Sequence, residues 1–100
     1  MIINKTTEGS TLTLAPAGRL DTLTSQMLED EINKSITDAD ELILDLCGLD
    51  YISSAGLRVL LSAHKKMSAK GGMKVCGVSD MIADIFEVTG FDTIFDIQKD

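Results

Sequence analysis

Tryptophan is absent from this 100-residue chain, proline and histidine each occur once, and cysteine occurs twice. The one proline, Pro16, removes a backbone donor, which in a strand points to an edge or a bulge. His64 has no second histidine, cysteine pair or carboxylate pattern beside it, so it reads as packing rather than as a metal ligand or a base. Cys47 and Cys76 lack metal-ligand spacing, and both follow apolar, strand-like runs. They are expected to be buried and reduced thiols, redox sensing being the remoter reading. No apolar run reaches the roughly 20 residues that a membrane helix needs, and no charged-then-apolar leader follows Met1. The chain therefore reads as cytoplasmic. Basic residues are outnumbered, 9 against 16, for a net charge of −7, which argues against nucleic acid or an anionic membrane as partner.

What is present suits one globular domain over residues 1–100, with 44% apolar residues and enough length for a single core. The acidity is one-sided. Residues 1–52 hold ten acids against Lys5, Arg19 and Lys34, whereas residues 53–100 hold six of each sign. Such a half can be a docking face for a basic partner or simply a solvated surface.

In chain order, residues 1–8 and 11–17 flank Gly9-Ser10 and predict a β-hairpin. Gly18-Arg19-Leu20-Asp21 leads into a helix over about 22–36, with Leu28, Ile32 and Ile36 as its apolar stripe. Asp21, Thr22 and Thr24 compete to cap it. Leu42 to Cys47 is nearly continuous in apolar character and predicts a strand covered on both faces. Asp45 inside that run needs donors if buried. It either braces its own loop or takes N–H groups near Ser53. A helix follows from Ser53 or Ser54 to Ala69, with Leu57, Leu60, Leu61, His64 and Met67 on its apolar face. Lys65, Lys66 and Lys70 crowd its C-terminal end, where cations complement the dipole. Gly71-Gly72 ends it, in the wrong order for a phosphate-binding loop. A short strand over 73–77, a helix capped by Ser79-Asp80 and closed by Gly90, and a last strand over 93–97 complete the chain. The order β-β-α-β-α-β-α-β is an α/β class, one mixed sheet with helices packed on it.

The chain is organised around Asp45 to Leu61, DLCGLDYISSAGLRVLL. There an apolar strand passes through a short loop into a helix start carrying Ser53, Ser54, Ala55 and Gly56. The first helical turn offers unpaired N–H groups and partial positive charge. A hydroxyl there can cap the helix, or can carry a phosphate that the dipole favours. Gly56 is a poor helix former, which suggests that its bareness serves the close approach of another protein.

LDLCGLDY followed by ISSAGLRVLL resembles the core motif of STAS domains, in particular bacterial anti-sigma factor antagonists. Gly18-Arg19-Leu20-Asp21 is similar to that family's Gly-X-Leu-Asp, and the Ser79, Ile85-Phe86, Thr89-Gly90-Phe91 spacing is similar to a further family segment. The resemblance implies a STAS-type fold and a serine reversibly phosphorylated by an anti-sigma factor that is also a kinase. Aligned on Gly56, that serine is Ser54. Many relatives carry Asp immediately before it, where this chain has Ser53, so Ser53 stands as the alternate. The resemblance places Asp21 beside the site. The candidate partner-binding set, from the residues and the resemblance together, is Asp21, Asp45, Ser53, Ser54, Ala55, Gly56, Leu57 and Arg58. Arg58 lies one turn beyond Ser54; it could pair with Asp21, Asp45, the partner or a phosphate, or stay solvated.

No Gly-X-Ser-X-Gly elbow, metal cluster or phosphate cradle is evident, and His64 lies on the wrong face to serve Ser54, so an enzyme is not expected and no cofactor is implied. The resemblance implies partner switching: the unmodified protein, a monomer or weak dimer, binds the anti-sigma factor, phosphorylation releases it, and a serine phosphatase resets it. The alternative is a STAS scaffold or accessory subunit of a signalling or lipid-transport complex that is never phosphorylated.

Overall fold

The computed structural model describes residues 1–98. Strands β1 (Ile2–Glu8) and β2 (Thr11–Leu20) pair antiparallel, with Glu8 opposite Thr11 across the Gly9-Ser10 turn. Strands β3 (Glu41–Asp45), β5 (Met73–Cys76) and β6 (Asp96–Ile97) extend the sheet in parallel, in the order β1-β2-β3-β5-β6. The sixth strand, β4 (Leu49–Ile52), pairs in parallel with the last residues of β2. Helices α1 (Thr22–Ser35), α2 (Ser54–Ser68) and α3 (Asp80–Thr89) follow β2, β4 and β5.

The mixed sheet and three helices are those expected, and β4 is added where the sequence suggested only a loop. Its partner explains the addition: β2 continues to Leu20 instead of stopping near Ala17, so that Gly18, Arg19 and Leu20 lie opposite Leu49, Tyr51 and Ile52. The register slips between Gly18 and Arg19, where Gly18 takes φ 105°, a left-handed conformation that glycine adopts at low cost. Pro16 is therefore not on an edge strand. It sits in the gap between the β3 pairing, which ends at Leu14, and the β4 pairing, which begins at Gly18. The last strand is also shorter than expected, because Phe91–Thr93 forms a 3-10 turn and only Asp96–Ile97 pairs with β5.

Period-two alternation puts Leu12, Leu14, Leu42, Leu44, Met73 and Val75 on one buried face. Leu28 and Ile32 of α1, Leu60, Ala63 and Met67 of α2, and Ile82 and Phe86 of α3 join them in one core. Thr13, Ile43 and Lys74 point to the other face and are half-exposed. The β3 run is thus covered on one face only, contrary to its continuous apolar reading, since all three helices contribute to the same core. Cys76 is half-buried and Cys47 is exposed, so the expectation of two buried thiols fails.

The basic end of α2 has a role beyond its own dipole. The Lys70 ammonium reaches across the domain and donates to the carbonyls of Ile36 at 2.6 Å, Ala39 at 3.0 Å and Thr37 at 3.3 Å. These carbonyls belong to the C-terminal end of α1 and the 3-10 turn after it, where helix carbonyls lack intrahelical donors. Lys66 adds a hydrogen bond to the Asn33 side chain.

Candidate functional site

The two serines at the start of α2 have different surroundings. Ser53 is extended, with φ −92° and ψ 173°, and its Oγ accepts the N–H of Gly56 at 3.2 Å, as an N-cap does. Its own N–H donates to the carbonyl of Leu20 at 2.9 Å, and its carbonyl accepts the N–H of Leu57 at 2.9 Å. Ser53 is thus committed to joining β4, β2 and α2. Ser54 is the first residue of the helix and is exposed. Its hydroxyl has no hydrogen-bond partner among the described residues.

Gly56 and Leu57 face inward. A Cβ built on Gly56 would come within 2.8 Å of Leu20 Cδ2 and 2.9 Å of Ile52 Cγ1, closer than carbon atoms pack. The missing side chain lets the first turn of α2 rest on the ends of β2 and β4, so the closeness that Gly56 permits is internal to the protein. Leu57 is likewise buried, at 7% exposure. What the first turn of α2 turns outward is Ser54, part of Ala55, and Arg58.

Asp21 caps α1 in a reciprocal box. Its Oδ1 accepts the N–H groups of Thr24 at 2.9 Å and Leu23 at 3.1 Å, while the Asp21 N–H donates to Thr24 Oγ1 at 2.9 Å. These donors, the Thr24 N–H and then its hydroxyl foremost, hold the carboxyl below its ordinary value. Ser25, the only buried polar side chain among the described residues, donates to the Asp21 carbonyl. Since Leu20 and Ser53 are hydrogen-bonded, the starts of α1 and α2 lie side by side, and Asp21 is near α2 as a helix cap.

Asp45 serves its own turn. It accepts the N–H of Cys47 at 3.1 Å and lies against the backbone of Gly77, and no hydrogen bond joins it to the loop at Ser53. Arg58 is exposed and forms no ion pair with Asp21 or Asp45 among the described residues. With Ala55 and Val59 it forms one wall of a shallow groove whose other wall is Thr22, Ser25, Gln26 and Glu29 of α1. The His64 ring meets Phe95 edge-on, with centroids 5.8 Å apart.

Two features escaped the sequence reading. The Arg19 guanidinium sits 4.3 Å above the ring of Tyr51, a cation–π contact made possible by the β2–β4 register. Leu23 and Met27 on α1 are exposed at 80% and 47%. Among the described residues, no group of three metal-binding side chains is found, and no helix is long and apolar enough to cross a membrane.

The STAS domain family model matches residues 2–100. A protein of Bordetella bronchiseptica assigned as an anti-sigma factor antagonist, BtrV, is 34% identical over 82 residues, spanning 80% of this chain and 71% of its own length. The crystal structure of an anti-sigma factor antagonist from Mycobacterium paratuberculosis superposes with a TM-score of 0.88 at 22% identity, over 96% of this chain and 83% of that one. The Bacillus cell fate determinant SpoIIAA in its phosphorylated form superposes with a TM-score of 0.79 at 16% identity, over 99% of this chain and 91% of that one.

Proposed function

The chain belongs to the STAS domain family, and on that footing we propose that it is an anti-sigma factor antagonist acting by partner switching. Its unphosphorylated form binds an anti-sigma factor with serine kinase activity and frees the sigma factor; phosphorylation of Ser54 releases that partner, and a serine phosphatase restores binding. The protein acts in the cytoplasm as a single, non-enzymatic domain, monomeric or weakly dimeric. The names of its relatives support the antagonist role.

The observation that carries the choice of serine is the division of labour between Ser53 and Ser54. The Ser53 hydroxyl is used in capping, whereas that of Ser54 is exposed and unpartnered among the described residues. A phosphate on Ser54 would add about −1.5 to −2 charges at the positive end of the α2 dipole. The modified state is then tolerated by the fold, while the same charge and bulk stand where a partner covers the first turn of α2. Repulsion and desolvation there account for release.

The test is incubation of the purified chain with ATP and anti-sigma factors of the kinase type, followed by mass spectrometry and affinity measurement. One phosphate on Ser54, with loss of binding, is the expected result. A phosphate on Ser53 would overturn the site assignment. Binding with no modification would favour a constitutive STAS scaffold.

A further inference from the structure

We propose that the outer face of α1, centred on Leu23 and Met27, is the second half of the partner-docking surface, and that it takes an apolar side chain flanked by a basic residue of the anti-sigma factor. The inference rests on the partner-switching reading and extends it to a helix outside the serine motif.

Single exposed leucines are ordinary on protein surfaces. Leu23 and Met27 are not single: four residues apart on a helix, they form one continuous apolar ridge. Leu28 and Ile32 already supply the core-facing side of α1, so the ridge adds nothing to the fold. It lies about a quarter turn around the helix from Thr22 and Gln26, which line the groove shared with Ala55 and Arg58. The Ser53–Leu20 hydrogen bond sets the starts of α1 and α2 side by side. A protein covering Ser54 and the groove would therefore meet Leu23 and then Met27.

The surroundings of the ridge identify its occupant by charge. Gln26 Nε2 donates to Asp30 Oδ1 at 2.9 Å, and Asp30 follows Met27 by three positions, which makes the two neighbours on the helix surface. Glu29 lies on the groove side, and the first half of the chain carries the whole net charge of −7. A second copy of this chain would bring like charge to the ridge, which is repulsive. A partner with a lysine or arginine next to its apolar side chain has the complementary field.

The experiment uses purified anti-sigma factors of the kinase type, with affinities compared by calorimetry and association rates by surface plasmon resonance. The variants are Leu23→Gln with Met27→Gln, which keep good helix formers at exposed positions, and Asp30→Lys. The double variant should keep the wild-type melting temperature and lose roughly tenfold or more in affinity, as removal of an interface anchor does. Asp30→Lys should slow association and weaken its salt dependence. Ser54→Asp is the control for the underlying reading. If Ser54→Asp releases the partner while the double variant binds like the wild type, the α1 surface is excluded and partner switching stands. If no such kinase binds the wild type, both readings fall. A wild-type dimer in sedimentation that the double variant breaks would assign the ridge to a second copy and overturn the proposal.

Discussion

The backbone N–H of Ser53 donates to the carbonyl of Leu20 at 2.9 Å, and this bond ties the beginning of α2 to the end of β2. Through it, two segments more than thirty residues apart in the chain become one surface. Asp21 follows Leu20 and caps α1, and Ser54 follows Ser53 and opens α2. The helix caps are therefore part of the architecture that presents Ser54.

Removing the two serine hydroxyls one at a time should have unequal costs. Ser53→Ala loses the N-cap to Gly56 and should destabilise the protein by about 1 kcal/mol. Ser54→Ala removes an exposed hydroxyl without a partner among the described residues and should stay within about 0.5 kcal/mol of the wild type. Urea denaturation of both variants checks this. Equal losses would show that Ser54 also braces the helix start.

Gly56→Ala should destabilise by about 1–3 kcal/mol, the usual cost of overpacking a filled core. The gain in helix propensity, about 0.8–1.0 kcal/mol, acts in the opposite direction. The crowding should prevail, because Leu20 and Ile52 close on the new methyl from two strands. A variant that melts higher than the wild type would mean that the Leu20 side chain moves aside freely.

Acid should weaken the start of α1. Hydrogen bonds from Thr24 lower the carboxyl of Asp21 from its ordinary value of 3.8. Its contribution to stability is therefore complete above pH 3.8 and is lost as the pH falls through the lower folded-state value. The stability difference between wild type and Asp21→Ala, followed by denaturation across the acid range, should shrink in that window. A difference that stays constant into strong acid would show that the neutral carboxyl caps equally well.

The helices were legible because each carries its period and its caps in adjacent residues: Asp21 before α1, Ser79 before α3 and Gly90 after it. Strand β4 was not, since its four residues LDYI bury only Leu49 and Ile52 and gain their pairing from Gly18–Leu20 far back in the chain. The serine motif could be read, but the direction in which Gly56 faces could not. That depends on the placement of Leu20 and Ile52 under the helix. Asp45 was legible as a residue in need of donors, and its donor, the Cys47 N–H, proved to be local. Lys70 looked like a cap for its own helix, because nothing in its neighbourhood reveals that Ile36 and Ala39 lie within reach.

The contact between Arg19 and Tyr51 gives the molecule a built-in optical reporter. The chain contains one tyrosine and no tryptophan, so its near-ultraviolet emission comes from a single ring. That ring stands on β4, three positions before Ser54, beneath the Arg19 guanidinium. Any change in the pairing of β2 with β4 that moves the Arg19 guanidinium would change the field around this one fluorophore. The integrity of the β2–β4 junction is then readable from the unlabelled protein, in the wavelength range where the rest of its side chains are dark.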